Sequence, residues 1–408
     1  MRWVPWLVLG VLGTTSLWGA EVNPMPPANS VKEVPAMSFE ESVQWLEQEA
    51  QRLVRACRRE MRDGTAAFPP QVGIGYDAFW LRDYSYMLEG CPEAFSAKEL
   101  ADACRVFVRA MAATGDGVDC VRYDGTPIYK PGYGSMGENP VADGGPFTIN
   151  VAWATWRATG DKALLAEVLD RLVACLSAVP RNPANGLVHI RPDRPYDRCP
   201  YGFTDTVRKT GDELFTSLLF VQAAGRLAEL LAAADRGAEA AAWRERAAQA
   251  AGSCRSVFWD GEAGLFRAAT VRCREHDLWG SAFAVHLGVA SPEQATAIAS
   301  TLRAQFAGIC QQGQFRHLLP GVVWEQACAP GTYQNGGFWG TPTGWFVQTL
   351  DRVDPALARQ TVVDLVADYR RRGVGEWVLD GHVQLPGYVA SATLPLRGIR
   401  AMLARERQ

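Results

Sequence analysis

Amphipathic helical patterns alternate with loops along most of the chain, and this alternation sets the strongest limit on its fold. Apolar residues recur at spacings of three and four, as in Trp45, Leu46, Ala50, Leu53 and Val54, which is typical of a helix with one buried face. Strand-like alternation is nearly absent. The patterns predict about twelve helices in six pairs. First members cover roughly 38–61, 97–112, 162–178, 238–258, 292–306 and 355–371, and second members roughly 77–90, 147–160, 211–235, 277–288, 338–350 and 388–405.

The two members of each pair differ in how they begin and in the loops around them. First members open on conventional caps, such as Ser38, Ser96, Ser291 and Asp354. Second members are more apolar and follow loops rich in glycine and aromatic residues. Connections after second members are short, and those before them are long. A closed ring of antiparallel hairpins places all the long loops on one face, where function usually lies. The sequence therefore predicts an all-α (α/α)6 toroid with a cleft at the N-terminal ends of its inner helices.

Charge and composition limit the partners of the chain. Its 408 residues carry a net charge of −3 and include 14 tryptophans. This charge argues against nucleic acid or an anionic membrane surface as a partner. Tryptophan-rich clefts suit ligands with flat apolar faces, sugars among them, although tryptophan fills protein cores at least as often. The cysteines lack the CxxC spacing of zinc sites, and the sequence predicts no cofactor.

The N-terminal 20 residues resemble a secretory signal. Arg2 supplies a short basic region, and residues 6–13 form an apolar stretch too short to span a bilayer. No later segment predicts stable membrane insertion. We expect a signal peptide at 1–20, a Pro-rich spacer at 21–37 and a single toroid domain at 38–408, in a protein that is secreted or periplasmic.

The ten cysteines of the chain allow disulfides if it is exported. Two cysteines in apolar helical runs fit buried thiols instead, Cys104 and Cys175. Two pairs each flank a loop that a disulfide could close, Cys254 with Cys273 and Cys310 with Cys328. The sequence alone does not determine the pairing.

The third long loop ends in a segment, residues 201–213, that contains an aromatic pair, two bases and three carboxylates. Thr210 and Glu213 have the spacing of a capping box for the helix that follows. This leaves Asp205 as the best candidate for a catalytic acid, unless it forms an ion pair with one of the two basic residues after it.

The other long loops repeat this combination of carboxylates and aromatic residues. Glycoside cleavage needs such a combination, because two carboxyl groups must flank the scissile bond and sugar rings bind to flat surfaces. The chain is therefore expected to act on a carbohydrate. The loop motifs are Gly75-Tyr-Asp-Ala-Phe-Trp-Leu-Arg-Asp83, Gly137-Glu-Asn-Pro-Val-Ala-Asp-Gly-Gly145, Tyr333-Gln-Asn-Gly-Gly-Phe-Trp339 and Glu376-Trp377.

The six helical hairpins, together with Phe79-Trp-Leu-Arg-Asp83 and Pro342-Thr-Gly-Trp345, resemble the six-hairpin glycosidases, which include glucoamylases, trehalases and the processing α-glucosidases. The resemblance covers most of 38–408 in architecture and only short motifs in residues. It implies a general acid in the loop before the third inner helix, where Asp205 lies closest to that helix. It also implies a general base in the loop before the last inner helix, where Glu376 is the best match.

These residues define a specific hypothesis. Asp205 protonates the glycosidic oxygen while Glu376 activates water on the opposite face, which is an inverting reaction on an α-glucoside or a related oligosaccharide. Burial should raise the pKa of Asp205, as a general acid requires, and basic or hydrogen-bonding neighbours should keep Glu376 ionised. Asp380 and Glu325 are alternative bases. Candidate substrate-binding residues are Tyr76, Trp80, Arg82, Asp83, Arg208, Trp279, Gln334, Asn335, Trp339, Trp377 and Tyr388.

Two other functions are compatible with the same toroid. A sugar-binding protein whose toroid has lost its catalytic function would bind a glycan without turnover. A polysaccharide lyase or unsaturated-uronide hydrolase would depend on a different set of residues, namely His276, His382, Tyr388 and Arg208.

The Arg82-Asp83 pair also has an alternative role. It could be a buried structural ion pair rather than a sugar contact.

Overall fold

Helices dominate the structure. The computed structural model describes residues 34–131, 139–195 and 197–406. The predicted signal at 1–20, most of the spacer, and Gly137 and Glu138 of the second loop lie outside the described residues. Within the described residues there are thirteen α-helices: α1 (Phe39–Cys57), α2 (Leu81–Gly90), α3 (Ala97–Ala110), α4 (Gly144–Thr159), α5 (Lys162–Ser177), α6 (Leu214–Ala233), α7 (Gly237–Val257), α8 (Leu278–His286), α9 (Pro292–Ala304), α10 (Phe306–Ile309), α11 (Thr343–Leu350), α12 (Pro355–Arg372) and α13 (Ala390–Glu406).

The helices form a closed double ring. The inner helices α2, α4, α6, α8, α11 and α13 each contact the next one in this order, and α13 contacts α2. The outer helices α1, α3, α5, α7, α9 and α12 pack around them, and α10 is one extra turn after α9. The predicted (α/α)6 toroid and its six pairs are therefore confirmed.

Burial separates the two rings as the sequence patterns predict. Fourteen of the twenty residues of α6 are buried, against four of the twenty-one residues of its outer partner α7. Among the described residues, α6 is the one helix long and apolar enough to cross a membrane. Because 78% of its apolar window is buried inside the protein, this apolar character is that of a core helix.

Short strands, which the sequence patterns do not predict, close the long loops. They pair only antiparallel within the described part of the chain, with registers such as Phe79 opposite Val121 and Trp377 opposite Gln384. Two or three residues are too few to show a period of two. The strands are β1 (Arg59–Glu60), β2 (Ala66–Ala67), β3 (Ala78–Trp80), β4 (Cys120–Arg122), β5 (Pro127–Ile128), β6 (His189–Ile190), β7 (Gly211–Asp212), β8 (Trp259–Asp260), β9 (Leu265–Phe266), β10 (Cys310–Gln311), β11 (Gln314–Phe315), β12 (Trp377–Leu379) and β13 (His382–Gln384).

The caps of the outer helices are confirmed, whereas the cap predicted for α6 is wrong. Ser38, Ser96 and Ser291 each form a complete capping box. At α6 the N-cap is Glu213 itself, whose carboxylate accepts from the backbone N–H of Thr216 at 2.6 Å. Thr210 is instead held in an extended segment, where it bridges to Arg272.

All ten cysteines are free thiols, so neither of the two possible loop-closing disulfides is formed in the structure. Eight of the ten are buried, where they pack as small apolar side chains. Burial raises the pKa of the Cys104 and Cys175 thiols to about 12, which keeps them protonated and unreactive.

Glycines allow the inner helices to approach closely, which gives a test of the packing. A Cβ on Gly398 of α13 would lie 2.0 Å from the Gly344 carbonyl oxygen of α11. We expect Gly398→Ala to destabilise the protein by about 1–3 kcal/mol, the range for overpacking. A Cβ on Gly225 of α6 meets nothing within 4 Å, so Gly225→Ala should stabilise by about 0.5–1 kcal/mol. Thermal unfolding of both variants tests this, and shifts of the same sign would contradict the predicted packing.

Candidate active site

The long loops meet at the N-terminal ends of the inner helices, over a floor of aromatic rings. Phe203 is central to this floor, with ring centroids 6.4 Å from Tyr388 and 6.2 Å from Trp339. The ring of Tyr76 lies beside this floor, with its centroid 6.0 Å from that of Tyr388, and packs edge-on against Trp80 at a centroid distance of 4.9 Å. This arrangement offers flat apolar surfaces beside the polar groups of the loops.

Glu376 is buried, with 2% of its surface exposed. Its backbone N–H donates to the Gln384 carbonyl at 2.9 Å, beside the β12–β13 hairpin. The hydroxyl of Tyr76 donates to its Oε1 at 3.1 Å, while Oε2 accepts no hydrogen bond from the described residues. A carboxylate oxygen free of protein donors is able to accept a proton from a water molecule.

The neighbours of Glu376 are tyrosines and carboxylates. The tyrosine hydroxyls are hydrogen-bonding groups, as predicted, whereas no base is among the groups that act most strongly on its pKa. Burial raises the pKa of Glu376 to about 8, and the charges of Asp83 and Asp205 add to the rise against the opposing effect of the Tyr76 and Tyr333 hydroxyls. Contrary to expectation, the hydrogen-bonding neighbours do not suffice to keep Glu376 ionised at neutral pH, because desolvation outweighs the tyrosines.

Asp205 follows a single 3₁₀ turn, Gly202–Thr204, at the end of the third long loop. Gln334 Nε2 donates to its Oδ1 at 2.8 Å. Burial raises the pKa of Asp205 to about 6, against the opposing effect of this hydrogen bond. Lys209 does not pair with Asp205, because its ammonium donates to the buried carboxylate of Glu213.

Arg82 anchors the floor of the site rather than facing its opening. Arg82 is 6% exposed, and its guanidinium pairs with Asp119. A Cβ on Gly202 would lie 2.0 Å from Arg82 Nε, so the turn before Asp205 packs directly on this guanidinium. Asp143 Oδ2 accepts from the Gly202 N–H at 2.8 Å and fixes the turn from the other side.

Asp83 and Tyr388 form a second buried unit. The Tyr388 hydroxyl donates to Asp83 Oδ1, and the two residues are 2% and 1% exposed. Burial raises the pKa of Asp83 to about 6, although Arg82 opposes the rise. Arg82 thus pairs with Asp119, and Asp83 accepts from Tyr388. The alternative of a structural ion pair between Arg82 and Asp83 is therefore not the arrangement that the structure has.

The carboxyls of Asp205 and Glu376 share one electrostatic environment. The charge of Asp205 raises the pKa of Glu376. Both charges also act on Tyr333 and Tyr76, whose pKa values burial raises well above the usual range. The two loops that contribute these carboxyls are 171 residues apart in sequence and meet only because the helical ring closes.

The other predicted substrate-binding residues divide into two groups. Tyr76, Trp80, Arg208 and Trp377 are partly exposed, so part of each side chain is accessible. The rest are buried and serve the packing of the site: Trp279 stacks on His317 at 3.7 Å, Trp339 packs edge-on against Trp279 at 5.7 Å, Gln334 holds Asp205, and Asn335 bonds to the backbone of Trp324 and Cys328.

The alternative catalytic residues lie outside this arrangement. Asp380 is exposed in the turn of the β12–β13 hairpin, and Glu325 is exposed and accepts from the Cys273 N–H at 2.9 Å. His276 bonds to Asp260 at 3.0 Å, and His382 is exposed in the same hairpin. Among these alternatives to Glu376 and Asp205, none adjoins the aromatic floor through a described contact.

Comparison with known proteins identifies the family. The sequence profile of the bacterial α-L-rhamnosidase six-hairpin glycosidase domain matches residues 93–314, which is 222 of the 408 residues. The chain belongs to this family. It is a six-hairpin glycoside hydrolase. A search of curated proteins finds no significant match.

Solved structures share the fold of this glycosidase at low sequence identity. The GH63 mannosylglycerate hydrolase from Thermus thermophilus in complex with glucose is 16% identical, with a TM-score of 0.63 over 87% of this chain and 100% of that one. The rhamnosidase from Klebsiella oxytoca with rhamnose bound is 16% identical, with a TM-score of 0.63 over 90% of this chain and 65% of that one. The glucoamylase from Saccharomycopsis fibuligera is 10% identical, with a TM-score of 0.62 over 92% and 98% of the two chains.

Four residues of the glycosidase site were not among the predicted site residues. Phe203 was noted only as one of the aromatic pair of the segment 201–213. Asp119 lies in an unremarkable stretch just before β4, where no pattern distinguishes it. Asp143 belongs to a loop motif noted in the sequence without an assigned role. The motif that begins at Tyr333 is compatible from sequence with either a sugar site or a turn. Tyr333 has a left-handed backbone, with φ of 42°, and such strain in a non-glycine residue is frequent at functional sites.

Proposed function

We propose that the protein is an exported, inverting glycoside hydrolase in which Asp205 is the general acid and Glu376 the general base. The observation that carries the proposal is the pair of carboxyls with raised pKa values above one aromatic floor. No hydrogen bond joins these two described carboxyls, and each is held by its own donor, Gln334 for Asp205 and Tyr76 for Glu376. A water molecule between base and sugar is the arrangement that inversion needs.

Each step assigns a role to a residue already described. Asp205 donates its proton to the glycosidic oxygen as the bond to the anomeric carbon breaks. Glu376 Oε2, which accepts no hydrogen bond from the described residues, takes a proton from the attacking water. The ionised carboxylates of Glu376 and Asp83 stabilise the positive charge that develops on the sugar ring. The Tyr76 hydroxyl keeps Glu376 oriented through its bond to Oε1.

The two pKa values predict how activity depends on pH. The reactive state has a protonated Asp205, with a pKa of about 6, and an ionised Glu376, with a pKa of about 8. A single proton on the pair therefore favours Glu376, and with a two-unit difference the reactive state is about 1% of the singly protonated enzyme. We expect a bell-shaped profile of kcat/KM with limbs near pH 6 and pH 8, measured on a chromogenic glycoside. A profile that is flat from pH 5 to 9 would contradict the roles.

Gln334 gives a specific test of how Asp205 is tuned. Gln334→Leu removes the N–H that stabilises the ionised carboxylate, so the pKa of Asp205 should rise and the acidic limb of kcat/KM should move to higher pH. We also expect kcat to fall by about tenfold, because Asp205 loses its orientation. Asn335→Leu is the matched control, since it removes two neighbouring loop hydrogen bonds without touching Asp205. Equal shifts in both variants would show a general loop effect.

The substrate is proposed to be an α-linked glycoside of a neutral hexose. An α-glucoside or a related oligosaccharide is the first candidate. A glucoamylase and a mannosylglycerate hydrolase in complex with glucose share the fold over most of both chains. An α-L-rhamnoside is the second candidate, favoured by the family match over residues 93–314. A lyase is less consistent with the site, because His276 is bound to Asp260 and His382 is exposed in a hairpin.

A panel of substrates tests this function. Purified protein would be incubated with α-D-glucosides, α-D-mannosides, α-L-rhamnosides and uronic polysaccharides, and NMR would record the anomer released first. Hydrolysis with inversion supports the proposal, and the preferred sugar decides between the two candidates. Retention of configuration rejects the scheme of Asp205 and Glu376. Export is tested separately, by comparing the N-terminal sequence of protein recovered outside the cytoplasm with the predicted signal at 1–20.

A further inference from the structure

A cavity separate from the candidate active site lies near the axis of the ring, towards the C-terminal ends of the inner helices. Its volume is about 690 Å³, within the usual range of roughly 300–1,000 Å³ for small-molecule sites. All six inner helices contribute to its wall, and no residue of the proposed reaction does. We call it the basal pocket. The lining residues relevant here are Glu89, Trp153, Arg226, His286, Gln348 and Arg397.

One ion pair in the basal pocket is already complete. Arg226 Nη1 donates to Glu89 Oε1 at 2.8 Å, and the side chains are 6% and 4% exposed. The guanidinium of Arg226 also lies 4.4 Å from the centroid of the Trp153 ring. Arg226 therefore has a charge partner and an aromatic partner within the protein and needs no ligand.

Arg397 is in a different situation. It is partly exposed and forms no hydrogen bond or ion pair within the described part of the chain. Burial would raise the pKa of Glu89, but Arg226 and Arg397 together lower it, so the charge of Arg397 reaches the interior of the pocket.

A second carboxylate, Glu229, also lines the pocket, where it is exposed and accepts from Trp153 Nε1 at 2.7 Å. The third lining guanidinium, that of Arg400, pairs with Glu47 and Glu93. Arg397 is therefore the lining guanidinium that lacks a carboxylate partner within the described residues.

Neutral hydrogen-bond donors lie around the same cavity. The side-chain oxygen of Gln348 accepts from His286 Nδ1, and that of Gln222 accepts from Asn150 Nδ2 at 3.1 Å. Each glutamine therefore keeps an amide NH₂ group that no described residue accepts. Burial lowers the pKa of His286 to about 4, so this ring is neutral and offers Nε2 as an acceptor.

We propose that the basal pocket binds a small polyhydroxylated carboxylate. Its carboxylate would pair with Arg397, whose planar guanidinium matches two carboxylate oxygens, and would accept from Gln348 and Gln222. Hydroxyl groups of the ligand would donate to His286 Nε2 and to the carboxylate of Glu89. A neutral sugar would use the same acceptors but would leave the charge of Arg397 without a partner. The inference does not depend on the proposed catalytic function.

Calorimetric titration of the full-length protein with D-glucuronate tests the proposal, with D-glucose as the neutral probe and ionic strength held constant. We expect saturable binding of one glucuronate, at least tenfold weaker binding in Arg397→Gln, and much weaker binding of glucose. Arg157→Gln is the matched control, because Arg157 is exposed and lies 5.8 Å from the centroid of the Trp153 ring without lining the pocket.

Two further results decide the interpretation. Gln348→Met keeps the charge of the pocket and removes an amide donor, so it should weaken glucuronate binding several-fold even if Arg397→Gln fails to fold. The proposal is rejected if glucuronate gives no saturable heat. It is also rejected if Arg157→Gln loses as much affinity as Arg397→Gln, or if glucuronate and glucose bind equally.

Discussion

The Asp205→Asn variant is expected to lower kcat on an unactivated glycoside by about 10²–10⁴-fold, the range for loss of a general acid. The loss should almost vanish on the glycosyl fluoride of the same sugar, because fluoride leaves without needing a proton. Initial rates of wild type and variant are measured on both substrates, and the loss of activity on the glycoside is compared with the loss on the fluoride.

The companion variant Glu376→Gln should behave differently. The base acts on water and not on the leaving group, so both substrates should lose activity by a similar factor. Asp193→Asn serves as the control, because Asp193 is an exposed carboxylate of the same loop as Asp205 and pairs with Arg191. It should retain full activity. If fluoride rescued Glu376→Gln rather than Asp205→Asn, the acid would be Glu376 and the two roles would be exchanged.

The same Glu376→Gln variant is expected to be more stable than wild type at alkaline pH. The pKa of Glu376 is about 8 in the folded protein against an ordinary value of 4.5, so the folded protein holds the proton more tightly than the unfolded chain. Stability associated with this proton is fully present below pH 4.5 and is lost as the pH rises to about 8. The loss at pH 9 is on the order of a few kcal/mol.

A glutamine at position 376 cannot ionise, so the variant escapes this loss. Thermal unfolding of wild type and Glu376→Gln between pH 5 and 9 should give curves that diverge with rising pH. Glu325→Gln, which changes an exposed carboxylate, should follow the wild type. A constant difference between the Glu376→Gln and wild-type curves across this range would show that ionisation of Glu376 does not limit stability. Curves that diverge as predicted would show that Glu376, which the proposed reaction needs, lowers the stability of the protein at alkaline pH.

The helical ring could be predicted from the sequence because its signals are local. Spacing of apolar residues, serine caps and the contrast between short and long loops each depend on a few neighbouring residues. The same reasoning failed at Thr210, where the local pattern of a capping box competes with a tertiary contact to Arg272. A backbone held by a neighbouring loop overrides a capping preference of about 1 kcal/mol.

The site was less predictable because its contacts are remote in sequence. Asp205 and Glu376 stood out as carboxylates in the right loops. Their surroundings did not, since Gln334, Asp143 and Tyr76 approach them only in the folded ring. Burial was the largest cause of both pKa shifts, and burial of a loop residue cannot be read from its neighbours along the chain.

The contact between α13 and α2 has a consequence for when the enzyme becomes active during folding. Tyr76 and Glu376 are 300 residues apart, and Asp83 and Tyr388 are 305 apart, so the first and last hairpins must dock before either contact forms. Pairings of such sequence separation form late and slowly. A growing chain would therefore have no activity until its last hairpin has been released, and the first appearance of activity would mark the completion of folding.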